Sequence, residues 1–105
     1  MVDDLLALQE YGIAPEVLSA ILEELQHQDY KWGANKQQSY AGYLLVIESE
    51  LAEAKAGWMK SIQEGRHSTL AELVQVAATA IRALNAYGTE GCPVALNDGV
   101  PTGGH

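Results

Sequence analysis

The stretch "LAELVQVAATAIRALNAY", residues 70–87, constrains this chain more than any other. It is apolar around most of a helical circumference, and Ala77, Ala78, Ala80 and Ala83 let neighbouring helices approach closely. Such a helix must be buried on several sides. A chain of 105 residues has few other helices to cover it. The pattern therefore predicts an all-α, antiparallel helical bundle completed by another subunit. Thr69 followed by Glu72 has the spacing of a capping box, which starts this helix, and Gly88 suits the position just past its end.

The remaining chain supplies the partners. Residues 3–10 read as a short helix ended by Tyr11 and Gly12. "APEVLSAILEELQHQDYKWG" reads as a longer one, with Pro15 at its first position, Glu16 at the positive end of its dipole, and a stripe of Val17, Leu18, Ile21, Leu22 and Leu25. "KWGANKQQS" breaks the pattern as a loop. From Ser39 to Gln63 a second long helix is expected, with Leu44, Ile47, Leu51, Ala54 and Trp58 as an inward seam at spacings suited to helix packing. "EGRHS" connects it to the final helix. Residues 1–88 thus form one domain, and 89–105, rich in Gly and Pro, an aperiodic flexible tail.

Charge excludes some partners. Fourteen acids against six bases give a net charge of −8, which argues against a nucleic-acid polymer. Apolar runs fall far short of the roughly 18 residues that span a bilayer. The acidic N-terminal stretch is unlike a secretory signal, so a soluble, cytoplasmic protein is expected. The lone Cys92 excludes an internal disulfide and a cysteine-rich zinc site.

Within the second long helix, Glu50 and Glu53 share a face at the border of the seam, and Glu72 and Gln75 repeat that spacing on the last helix. If the two helices pack antiparallel, three carboxylates and an amide oxygen converge. Hard divalent cations take such ligands, and Mg²⁺ keeps waters that substrate phosphates replace. The spacing alone more readily describes a solvated face, since Glu-x-x-Glu is common on helices, with Glu72 serving only its cap. A ferritin-like dimetal site needs Glu-x-x-His pairs, which His27, His67 and His105 do not supply.

Three elements in order, "DYKWG", "SELAEA" and "ELVQVAATAIRAL", resemble the MazG-like group of all-α nucleoside triphosphate pyrophosphohydrolases over residues 29–87. The resemblance implies a Mg²⁺-dependent enzyme, with Mn²⁺ as a possible substitute, that cleaves the α–β bond of nucleoside triphosphates to monophosphate and pyrophosphate. It implies a homodimer or homotetramer and a house-cleaning role. By position, Glu50, Glu53 and Glu72 match the metal-binding and catalytic acids, one of them the base. Gln75 stands where the family has aspartate and Ser49 where it has a first glutamate; the neutral amide offers one oxygen and no base. Among the cations, Lys31, Lys55 and Arg82 are candidates for holding phosphates, Lys31 foremost, and Trp32 for stacking on a base. Tyr40 and Tyr43 are read as cover for a helix start. Gln75 keeps a rival open: a catalytically silent helical oligomer that binds nucleotide or a protein partner.

Overall fold

The computed structural model describes residues 2–33, 38–61 and 68–92, and within these the chain is all-α, without strands. Four helices follow in order: α1 (Val2–Tyr11), α2 (Pro15–Trp32), α3 (Tyr40–Met59) and α4 (Thr69–Tyr87). The connecting residues 34–37 and 62–67, with Gln63 at the projected end of α3 and His67, and the tail from residue 93 lie outside the described residues.

Local chemistry sets the helix ends. Gly12, at φ 110°, donates to the Gln9 carbonyl and Ile13 to that of Leu8, the paired bonds of a Schellman stop. Pro15 opens α2, and Gly33 at φ 95° closes it by donating to the Asp29 carbonyl. Ser39 caps α3 by accepting from the Gly42 amide. α3 ends earlier than expected, at Met59, where Ser61 turns to φ 58°. At α4 the cap falls one residue before the expected Thr69 and no capping box forms, because Ala71 stands at the third helical position: Ser68 accepts from the Ala71 amide, while Thr69 Oγ1 donates to the Ala54 carbonyl of α3. The threonine is thus spent on a helix–helix contact.

α4 is the central element, packed most extensively on α3 and also on α2. Its N-terminal turn meets Ala54, its middle meets Glu50, and Tyr87 near its end packs edge-on against Tyr40 and Tyr43 while donating to the Gln38 carbonyl. α3 is therefore antiparallel to α4. α2 runs parallel to it, with Gln28 at Thr79 and Asp29 at Arg82. Ala54, Gly57, Ala78 and Ala83 are buried, which is what close approach of backbones requires.

The inward seam differs from the one expected. On α3 the buried residues are Tyr43, Glu50, Ala54 and Gly57. Leu44, Leu51 and Trp58 are 48%, 47% and 74% exposed. On α4 the buried line is Glu72, Gln75, Ala78, Thr79 and Ala83, with Leu73 substantially exposed and Val76 and Ala77 half-buried. Within one chain both helices turn their polar line inward and leave their leucine line outside. Among the described residues the buried apolar set is Tyr43, Ala54, Ala78 and Ala83. No described helix is long and apolar enough to cross a membrane.

Candidate carboxylate site

The centre of the fold is a buried polar cluster drawn from three helices. Glu24 and Gln28 enter from α2, Glu50 from α3, and Glu72, Gln75 and Thr79 from α4. Gln28 Nε2 donates to Glu24 Oε2 and to Thr79 Oγ1, each at 3.2 Å. Thr79 Oγ1 lies 3.0 Å from Glu50 Oε1 and 2.9 Å from the Gln75 carbonyl one turn back, so its single proton is shared between two acceptors. The Gln28 orientation follows from chemistry, since its amide oxygen would repel the Glu24 carboxylate. Gln28 Oε1 is buried and accepts no hydrogen bond.

Electrostatics set the character of the cluster. Burial pushes the Glu50 carboxyl above its ordinary value, the Thr79 hydrogen bond pulls it back, and the charges of Glu24, Glu72 and Glu53 push it up further. Among the described residues, the charges acting on Glu50 are thus those of three carboxylates, Glu24, Glu72 and Glu53. The oxygen-only donors and the accumulated charge suit a hard divalent cation. Among the described residues, no three or more acidic, histidine or cysteine side chains are drawn together so as to hold one as they stand.

The expected site residues divide. Glu50, Glu72 and Gln75 come together in the interior. Glu53 is exposed at the rim, near enough for its charge to act on Glu50. Lys55 is exposed. Lys31 is exposed with its Nζ 6.0 Å from the Trp32 ring centroid, and the Arg82 guanidinium sits 5.6 Å from the same ring. Arg82, only 11% exposed in its side chain, is ion-paired with Asp29 across α2 and α4. Trp32 is therefore flanked by two cations at the end of α2.

Sequence reasoning did not single out Glu24, Gln28 or Thr79. A signal was present on α2: Leu18, Ile21, Leu25, Gln28 and Trp32 keep the 3, 4, 3, 4 spacing, so an amide occupies an inward-stripe position. Beside the cluster, a groove of about 360 Å³ between α2 and α4 is lined by Glu23, Glu24, His27, Ala71, Val74 and Gln75, among others. It gives Glu24 and Gln75 a route to solvent. A second groove of similar size on the same helix pair is apolar, with Val17, Ile21, Leu70 and Leu73 in its walls. Compared with protein-family models, curated proteins and solved structures, the chain matches none.

Proposed function

We propose that this chain is a divalent-metal-dependent nucleotide pyrophosphohydrolase that works as a homo-oligomer. The observation that carries the reading is the burial of Glu50, Glu72 and Gln75 on the facing sides of antiparallel α3 and α4. Glu53 stands at the rim of that set, and the three motifs resemble the MazG-like group in the same order along the chain. Buried carboxylates that repel one another are costly to keep without a counter-charge, and a cation between them offsets that cost.

Glu50, Glu53 and Glu72 would hold Mg²⁺, with the Gln75 amide oxygen as a neutral ligand. The ion, when bound, neutralises charge on the triphosphate and activates water. Water adds to the α-phosphorus, the bond to the bridging oxygen breaks, and monophosphate and pyrophosphate leave. Glu50 or Glu53 takes the proton of that water as the general base. Thr79 and Gln28 fix the Glu50 and Glu24 carboxylates. Lys31 and Trp32 lie together at the end of α2, where a cation meets outer phosphates and a ring meets a base.

The exposed line of Leu44, Leu51 and Trp58 on α3 supports assembly into a dimer or tetramer, because large apolar residues seldom line up in water on a monomer. The test is product analysis with Mg²⁺ or Mn²⁺ and a panel of ribo- and deoxyribonucleoside triphosphates. The expected products are monophosphate and pyrophosphate, lost in Glu50→Gln. A second reading, a silent oligomer that binds nucleotide or a protein, is favoured by the absence among the described residues of three acids already drawn together around an ion position. It stands if no nucleotide is turned over.

A further inference from the structure

We propose that Glu24 of α2 is a further cation ligand of the site, supplying with Glu50 and Glu72 the carboxylate that Gln75 does not, and that Gln28 holds it in place. The inference deepens the metal-dependent reading and rests on it. Glu24 is buried, and its Oε2 receives the Gln28 amide that also reaches Thr79, which in turn reaches Glu50. One hydrogen-bonded chain thus links α2, α4 and α3. Gln28 is 1% exposed, and its Oε1, on the same carbon as the nitrogen that bridges Glu24 and Thr79, is buried and accepts no hydrogen bond. A buried acceptor without a donor, within a group of carboxylates, is what a cation or its bound water would satisfy.

A further observation agrees. Glu24 and Gln75 also line the same solvent-connected groove, so an ion reaching one meets the other. An acid entering from α2 restores the charge that an amide on α4 gives up.

Mn²⁺ is the probe, titrated into the full chain with the free ion followed by electron paramagnetic resonance. Helix content is checked by circular dichroism. Glu24→Gln is expected to weaken binding at least tenfold, and adding Gln75→Asp is expected to return it to within about threefold of the parent. A purely structural role for Glu24 would not be rescued from position 75. A Glu24→Gln affinity within twofold of the parent, a loss that Gln75→Asp does not restore, or no Mn²⁺ binding by the parent chain overturns the proposal. Should the variants unfold, the parent decides: trace Mn²⁺ is expected to broaden the Glu24 carboxyl carbon resonance with those of Glu50 and Glu72. A Glu24 signal that stays sharp while those two broaden also overturns it. The two readings fail separately. Glu24-dependent binding without nucleotide turnover sinks the enzyme and keeps the ligand; turnover with Glu24-independent binding does the reverse.

Discussion

Thr79→Val tests the central network with little change of shape. Thr79 is fully buried, with Oγ1 at 3.0 Å from Glu50 Oε1 and 3.2 Å from Gln28 Nε2. A hydrogen bond to an ionised carboxylate contributes about 1.5–3 kcal/mol and one to a neutral amide about 1 kcal/mol. The more apolar valine offsets roughly 1 kcal/mol. The expected net loss is about 2 kcal/mol at pH 8. In the native chain burial and the neighbouring carboxylates outweigh the Thr79 bond, so Glu50 holds its proton to higher pH than in the unfolded chain. Stability from that group is fully present below the unfolded value and is lost as pH rises through the folded one. Removing the hydroxyl raises the folded value further, so the variant should lose more with rising pH than the parent. At pH 5, where more of Glu50 is protonated, the loss falls to about 1 kcal/mol, as for a bond between neutral groups. Urea unfolding at pH 5 and pH 8, at one protein concentration, reads both numbers. Equal losses at the two pH values, or a loss at pH 8 below about 0.5 kcal/mol, would refute the account of Glu50.

Other perturbations probe different parts of the molecule. Trp58→Asp, at a residue 74% exposed in the single chain, should shift the sedimentation of a dimer or larger species toward monomer; a parent already monomeric at micromolar concentration would contradict the assembly. Asp29→Ala leaves the nearly buried Arg82 guanidinium without its carboxylate. The usual cost of a broken buried pair, discounted because Asp29 is 45% exposed, comes to about 1–2 kcal/mol in urea unfolding, largely recovered in Asp29→Ala/Arg82→Met. Tyr87→Phe removes the bond to the Gln38 carbonyl while keeping both edge-on ring contacts, for a loss of about 1 kcal/mol. A loss several times larger would mean that the hydroxyl, and not ring packing, holds the ends of α3 and α4 together.

The helices themselves were legible because their signals are local. Pro15, Gly33 and Gly88 mark ends whose backbone angles or missing amide few other residues accommodate, and periodicity fills the spans between. Glu72 and Gln75 were legible as a pair because i, i+3 spacing fixes a shared face, while Glu53, at the same spacing from Glu50, stays exposed at the rim. Glu24 was not, since nothing in a single helix says which polar residue a second helix will cover. The same limit explains the displaced cap: Ser68 and Thr69 are both competent caps, and only the nearness of the Ala54 carbonyl assigns the threonine elsewhere.

By itself, then, the sequence determined that the chain is helical, roughly where each helix starts and stops, and that carboxylates recur at helical spacing on two of them. Those outcomes depend on backbone preference and periodicity, which act over a few residues. Only the tertiary structure decided which side of α3 and α4 faces inward. Rotating α3 by one position about its axis exchanges the line Leu44, Leu51 and Trp58 for the line Tyr43, Glu50 and Gly57, and both lines keep nearly the same period. The choice lies in the contacts across helices: the Thr79 hydroxyl to Glu50, the Gln28 amide to Thr79, and the small residues that let α4 close on α3. Such contacts join residues far apart in the chain, and their energies exist only once the helices are side by side.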